Sequence, residues 1–269
     1  MLPRLASVMA AVCLLGATTW YFFWDPKPSF QSVSNDGPAL TERSDVEAFA
    51  DGRVFFGHMS VGNNILSGLE QVHAAHGVDP PTAIEIEPGE SPTLPADGVL
   101  VHALIGENRD PVGKLANFDR TLRAGLAGQV EVAALKLCYI DILWDTDVTK
   151  FFDTYRDTLA RLENDFPDVR FVHMTVPLTT GSHGIRDHLK VLAGRDDNAA
   201  RERYNDLIRE TYGPDRVFDI AAVESTEPDG TSDGRELFEG YTSDGAHLNA
   251  AGSARVAAEL INFVADLRG

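Results

Sequence analysis

The stretch 53–57, Arg-Val-Phe-Phe-Gly, passes within three residues into the stretch 60–72, Ser-Val-Gly-Asn-Asn-Ile-Leu-Ser-Gly-Leu-Glu-Gln-Val. The first stretch is short and rich in β-branched and aromatic residues, which predicts a buried strand. The second repeats apolar residues at positions 61, 65, 66, 69 and 72, which is the spacing of one helix face. A strand that leads directly into a helix is the basic unit of an α/β protein.

The same alternation continues along the chain. Further strands are predicted at 99–105, 130–138, 169–176 and 216–220, and helices at 115–126, 151–166, 199–212 and 249–267. Nearly continuous apolar strands separated by amphipathic helices indicate a parallel sheet that is covered on both faces. We therefore expect one α/β domain over residues 44–269, with its ligand at the carboxyl ends of the strands.

The N-terminal part differs in composition from this domain. Residues 5–24 carry no charged side chain, and as a helix they would span about 30 Å, the thickness of a bilayer core. With Arg4 before the segment, residues 1–24 are expected to be a membrane anchor that places the domain in the periplasm or outside the cell. The alternative is a cleaved signal peptide and a secreted protein. Residues 25–43 are rich in Pro and Ser and predict a linker.

Charge and composition exclude several classes of function. Lys and Arg number 23 against 41 Asp and Glu, a net charge of −18, which argues against nucleic-acid binding and against charge-driven docking on anionic lipid. Membrane contact is therefore expected through the N-terminal segment only. The sequence contains no phosphate-binding glycine loop, so no nucleotide cofactor is indicated. His73 and His76 have no third ligand at a convincing spacing, so no metal site is indicated either.

Ser60 is the first residue that could carry chemistry, because it stands where the first strand turns into the first helix. Its hydroxyl would lie at the carboxyl edge of the sheet, and its N–H at a helix N-terminus could stabilise an oxyanion. The alternative is that Ser60 only caps the helix. His58, two residues earlier, is expected to lie near the site and could contact a substrate.

Two further loops carry polar groups to the same edge. Asp244 precedes His247 by three residues just before the last helix, so that the carboxylate could hold the imidazole in one tautomer; the alternative is a solvated pair. Gly106 and Asn108 follow the second strand, where a glycine allows close approach of the backbone and an amide can donate to an oxyanion. The alternative there is an ordinary turn.

The order of these features resembles the SGNH (GDSL-like) hydrolases, and residues 244–252 are very similar to that family's last block. The resemblance implies a flavodoxin-like three-layer α/β/α fold with a mostly parallel sheet. It also implies that Ser60 is the nucleophile, His247 the general base and Asp244 its orienting acid. The backbone N–H groups of Ser60 and Gly106 would then form the oxyanion hole.

The sequence departs from the family's pattern at two places. Residues 58–60 read His-Met-Ser where the family has Gly-Asp-Ser. After the third strand, residues 138–141 read Cys-Tyr-Ile-Asp where the family has Gly-x-Asn-Asp. The missing side-chain donor is therefore expected to be Asn108 or, alternatively, the hydroxyl of Tyr139, which could also contact the substrate.

The resemblance and the residues together predict an ester hydrolase that forms an acyl-enzyme and needs no cofactor. Expected substrates are small-molecule esters, O-acyl groups on envelope or extracellular carbohydrate, or lipid-like esters. The alternatives are an O-acyltransferase that acts on a polysaccharide and a catalytically silent envelope-binding module of the same fold.

A few polar residues in strand-like surroundings are expected to be structural. His102 and His173 fall inside predicted strands and are expected to be hydrogen-bonded core histidines. Lys136 and Asp141 flank the end of the third strand and are expected to form an ion pair. Cys13 and Cys138 lie in separate apolar segments and are not expected to pair.

Overall fold

The computed structural model describes residues 29–181 and 184–268. The predicted anchor or signal segment, residues 1–24, lies outside the described residues. Within the described ranges, no helix combines the length and the apolar character that crossing a bilayer would require.

The described elements alternate between strand and helix, as the sequence predicts. The strands are β1 (Arg53–His58), β2 (Thr82–Glu85), β3 (Val99–Leu104), β4 (Val132–Leu135), β5 (Arg170–Met174) and β6 (Val217–Phe218). The helices are α1 (Arg43–Ala50), α2 (Ser60–His76), α3 (Pro111–Arg123), α4 (Val148–Asp165), α5 (Ile185–Leu192), α6 (Asp197–Tyr212), α7 (Ile220–Ser225) and α8 (Ala250–Arg268).

The six strands form one sheet in the order β2-β3-β1-β4-β5-β6, and every neighbouring pair is parallel. Without the edge strand β2, this order is the 2-1-3-4-5 order of flavodoxin-like folds, which confirms the predicted fold class. From β1 the chain runs to β2 and β3 on one side of the sheet, and from β3 it crosses to β4 on the other side of β1. Ligands of such sheets bind at this reversal point, beyond the carboxyl ends of the strands.

Two apolar cores cover the two faces of the sheet. Successive strand residues point to opposite faces, so Phe55 packs with α3, α4 and α6 while Phe56 packs with α1, α2, α7 and α8. Each face therefore has its own helical layer, and both faces are shielded from water. This is the physical reason why the strands read as apolar runs without alternation.

Some elements differ from the sequence-based expectation. Strand β2 was not predicted because it is an edge strand whose residues are mostly exposed, so that it lacks an apolar run. The short helices α5 and α7 were not predicted either. The predicted linker 25–43 is wrong in its second half, since Gly37–Leu40 form a 3₁₀ helix packed on α8. A Cβ atom at Gly37 would overlap the backbone of Ala254, which shows how closely this segment lies on the domain.

Candidate active site

Ser60 lies at the centre of the carboxyl edge of the sheet. Strand β1 ends at His58, Met59 is extended, and α2 begins at Ser60. The position before the helix belongs to Met59, whose side chain makes no capping hydrogen bond. The Ser60 hydroxyl instead lies 3.1 Å from Nε2 of His247. Ser60 is therefore not a capping residue. Its N–H is among the first N–H groups of α2, which have no carbonyl acceptor within the helix.

His247 and Asp244 form a close pair beside Ser60. The Nδ1 atom of His247 lies 2.7 Å from Oδ2 of Asp244, and Oδ1 of the same carboxylate accepts the N–H groups of Ala246 and His247 at 2.9 and 2.8 Å. Burial acts to raise the pKa of Asp244, but the His247 and Ala246 N–H groups and the His247 ring outweigh it and lower the pKa to about 2. Asp244 is therefore ionised at any physiological pH, and it can orient the imidazole.

The loop that carries this pair is held at both ends. An antiparallel bridge joins Thr242 to Leu248, and the Thr242 hydroxyl donates to the carbonyl of His247 at 2.7 Å. Asn249 then caps α8, because its side-chain oxygen accepts the N–H of Gly252 at 3.1 Å. These bonds restrict His247 without using its ring nitrogens.

Gly106 lies beside Ser60 because their strands are in register. His58 pairs with Leu104, so Ser60 and Gly106 both stand two residues beyond the last paired position of β1 and β3. The backbone of Gly106 has φ +143°, and a Cβ there would lie only 3.3 Å from Cγ of Lys114. Both the conformation and the close approach require glycine at this position.

Asn108 follows in the exposed loop before α3. Its side-chain oxygen accepts a hydrogen bond from Nζ of Lys114 at 3.3 Å. This contact identifies the oxygen end of the amide, so the NH₂ group is the end that can donate to a ligand.

His58 is wholly buried, and the expected substrate contact is wrong for this residue. Its Nδ1 donates to the carbonyl of Met59 at 3.0 Å, so its Nε2 accepts from Nδ1 of His102 at 3.3 Å. The side chain points to the α2 face of the sheet, where it fills the space that a side chain at Gly62 would need. Burial lowers the pKa of His58 to about 4 and keeps the ring neutral. His58 thus supports the turn before Ser60 from within.

Tyr139 lies against the triad, while its expected roles as an oxyanion donor or substrate contact stay predictions. Its ring meets the ring of His247 edge-on with 5.7 Å between centroids. The guanidinium of Arg201 lies 5.6 Å from the Tyr139 ring and donates through Nε to the Tyr139 carbonyl at 2.7 Å. Arg201 was not predicted as a site residue, although an arginine on the buried face of α6, beside Ala200 and Tyr204, was a usable signal.

The predicted ion pair between Lys136 and Asp141 is wrong. Asp141 binds Lys114, with Nζ 2.6 and 2.8 Å from its two carboxylate oxygens. Lys136 follows the alternation of β4 onto the face covered by α7, where its charge interacts with Glu224, whereas Asp141 turns toward α3 on the other face. Among the described residues, Nζ of Lys136 has no hydrogen-bond partner, and burial lowers its pKa.

The two strand histidines are hydrogen-bonded, as predicted. His173 is fully buried between the hydroxyl of Tyr155 at 3.0 Å and the carboxylate of Glu163 at 3.2 Å. His102 binds His58. Residues 29–181 and 184–268 contain no group of three or more His, Cys, Asp or Glu side chains that could hold a metal ion.

A cleft of about 1180 Å³ with both polar and apolar lining lies beside the loop of Asp244 and His247. It is lined by α5, the start of α6 and residues 233–239. Thr180 also lines it and donates its N–H to the carbonyl of Gly245 at 2.9 Å, which connects the cleft to the triad loop.

No protein-family model and no curated protein matches this sequence. Solved structures are similar at low identity. A Streptococcus pneumoniae protein provisionally assigned as a platelet activating factor is 16% identical with a TM-score of 0.47, and the match covers 94% of this chain and 99% of that one. A peptidoglycan O-acetylesterase is 14% identical (TM-score 0.40; 63% and 47% covered). A provisionally assigned lipolytic protein of the G-D-S-L family from Desulfitobacterium hafniense is 12% identical (0.39; 67% and 98%).

Proposed function

We propose that this protein is a serine hydrolase that cleaves an ester through an acyl-enzyme. One observation carries the proposal: Ser60 Oγ, His247 and Asp244 form a continuous chain, with 3.1 Å from Oγ to Nε2 and 2.7 Å from Nδ1 to the carboxylate. A nucleophile within hydrogen-bond reach of a base, which a third group orients in turn, is the arrangement required for nucleophilic catalysis.

The protons can be followed through both halves of the reaction. Asp244 is ionised and accepts the Nδ1–H of His247, so Nε2 is the nitrogen that takes the Ser60 proton as Oγ attacks the acyl carbonyl. The carbonyl oxygen becomes an oxyanion, which the N–H groups of Ser60 and Gly106 and the amide of Asn108 are proposed to bind. When the C–O bond to the alcohol breaks, His247 returns the proton to the leaving oxygen. Water then attacks the acyl-enzyme by the same route and releases the acid.

The alcohol half of the substrate is proposed to be a carbohydrate. The cleft beside the triad loop supports this choice, because polar and charged side chains supply much of its lining, among them Asp196, Asn198, Glu202 and Arg235. Hydroxyl groups of a sugar can exchange hydrogen bonds with such a lining, whereas a long acyl chain would leave it desolvated and unpaired. The net charge of −18 also makes a neutral ester a better substrate than a polyanion.

The test is serine-dependent turnover of p-nitrophenyl esters of increasing chain length and of acetylated xylan oligosaccharides. We expect Ser60→Ala to lower kcat at least about 10⁴-fold. Ser67→Ala is the matched control, since Ser67 lies on the same helix with an exposed side chain, and it should retain wild-type turnover. A fluorophosphonate should label wild type at Ser60 and leave Ser60→Ala unlabelled.

Three results would contradict the proposal in different ways. Absence of turnover and of labelling in the wild type would favour the silent binding module. Turnover that survives Ser60→Ala would mean that another residue does the chemistry. An acyl-enzyme that accumulates and is discharged only when a sugar is added would identify an acyltransferase.

A further inference from the structure

Lys114 is fully buried. It contacts both residues of the loop after β3 that are expected to contribute to the oxyanion hole, Gly106 and Asn108. Its aliphatic stem lies under Gly106, where an added Cβ would come within 3.3 Å of Cγ, and its ammonium group binds the side-chain oxygen of Asn108. We propose that the buried Lys114–Asp141 ion pair positions Gly106 and Asn108 and polarises the Asn108 amide, an inference that rests on the proposed function.

The carboxylate of Asp141 extends this support to the rest of the loop. Besides Lys114, it accepts the backbone N–H of Arg109 at 2.9 Å and that of Cys138 at 2.7 Å. The pair therefore ties the loop after β3 to the turn after β4, across the strand that carries Ser60. The ends of β3 and β4 are thus connected through two side chains that have no contact with solvent.

The backbone at Arg109 indicates that this connection holds the loop under strain. Its φ of +69° is in the left-handed region, and within the described ranges it is the sole non-glycine residue with a positive φ. A conformation of this kind persists only where surrounding bonds enforce it, and such positions cluster at ligand sites. The bond from the Arg109 N–H to Asp141 is one that enforces it here.

Polarisation of Asn108 follows from the geometry of the contact. The Lys114 ammonium donates to the amide oxygen, which draws electron density away from the NH₂ group and makes its hydrogens stronger donors. Lys114 is fully buried, so its charge is screened less than that of a surface lysine, although Asn108 itself lies in the exposed loop. The NH₂ group is directed away from Lys114 and is the group assigned to the oxyanion.

If the ion pair had a purely structural role, its replacement would have different effects on stability and on kcat. Burying two charges carries a desolvation penalty that apolar residues of similar size avoid, so stability alone gives little reason for Lys and Asp at these positions. Under our proposal, the fold should remain stable when the pair is replaced by Met and Leu, whereas kcat should fall. This contrast makes the two roles separable by experiment.

The experiment is a double-mutant cycle in the full-length protein. One change is the apolar pair variant, Lys114→Met with Asp141→Leu, which leaves no lone buried charge; the other is Asn108→Ala. We expect each to lower kcat about 100-fold with KM changed less than threefold, because an oxyanion donor acts in the transition state. Combined, they should lower kcat far less than the product of the two losses, because both changes act mainly on the same amide and only the support of Gly106 is separate.

Lys136→Met is the matched control. Lys136 is also fully buried at a strand end, but its Nζ makes no hydrogen bond to the loop, so its removal should change kcat less than threefold. Losses that multiply to about 10⁴-fold in the combined variant, or a raised KM at constant kcat, would overturn the inference.

A second measurement does not depend on turnover. The Arg109 amide should exchange its hydrogen at least tenfold faster in the apolar pair variant than in the wild type, because its acceptor has been removed. Unchanged exchange would overturn the inference. A wild type without Ser60-dependent turnover would refute the proposed function instead, and faster Arg109 exchange would then still support the positioning role of the pair.

Discussion

Glu224 offers a quantitative test of the buried charge network behind the site. The side chain is fully buried in α7, where it accepts the backbone N–H of Leu178 and interacts with the charge of Lys136. Burial raises its pKa from 4.5 to about 8, against the opposing effects of the Leu178 N–H and of Lys136. The folded protein therefore holds a proton here at pH values where the unfolded chain has lost it.

This difference makes stability fall as pH rises. The contribution of Glu224 is complete below pH 4.5 and is lost as pH rises toward and through about 8, because the unfolded chain releases the proton first. Each pKa unit corresponds to about 1.4 kcal/mol, so the free energy of unfolding should lose about 3 to 4 kcal/mol between pH 5 and pH 8 from this group. Lys136 has a lowered pKa and acts in the opposite direction, so the wild-type slope alone is ambiguous.

Comparison with Glu224→Gln isolates the contribution. Glutamine retains the acceptor for Leu178 but has no proton to lose, so the variant should match the wild type near pH 5 and exceed it by about 3 kcal/mol at pH 8. Urea unfolding followed by circular dichroism at pH 5, 6, 7 and 8 measures the difference. A difference that stays constant within about 0.5 kcal/mol across this range would refute the reasoning, because Glu224 would then titrate alike in the folded and unfolded states.

Two further predictions concern the triad and the packing behind it. Asp244→Asn should lower kcat about 10³- to 10⁴-fold with little loss of fold, because the carboxylate that selects the His247 tautomer is removed; steady-state kinetics measure this, and a loss below tenfold would contradict the assigned role. Gly68→Ala should lower the free energy of unfolding by about 1 to 3 kcal/mol, since its Cβ would overlap the Ser253 carbonyl of α8. Gly128→Ala, which adds a Cβ in open space, should change it by less than about 0.5 kcal/mol in the same urea titration, and equal effects would refute the packing argument.

The elements with strong periodic patterns were the ones that sequence reasoning found. Strand β1 and helix α2 are marked by their apolar spacing, and α8 by the same signal. Strand β2 was missed because an exposed edge strand buries too little surface to leave an apolar pattern. The packed segment at Gly37 was missed for a related reason: a close backbone contact at Gly37 and one partly buried side chain, Leu40, leave no periodic apolar pattern.

Which buried charged residues pair with each other depends on the face of the sheet that each occupies, and the sequence alone does not show this. Lys136 and Asp141 are close along the chain and were expected to pair, yet they lie on opposite faces of the sheet. Asp141 instead binds Lys114, which comes from a helix on its own side. Lys114 stands at a helical position shared with Leu115 and Phe118, and a lysine on an apolar face was the one signal available.

Local patterns along the chain were sufficient for the alternation of strand and helix and for the positions of Ser60, Gly106 and the Asp244–His247 pair at the ends of their elements. Such features depend on neighbouring residues, so periodicity and turn chemistry reveal them. The order of the strands decided the rest: β1 stands between β3 and β4, and the loop before α8 returns over its end. Ser60 and His247 are 187 residues apart, and only long-range packing brings their side chains within 3.1 Å. Packing across the sheet likewise selects Lys114 for Asp141 and withdraws His58 from the surface, because those contacts depend on which face each residue occupies.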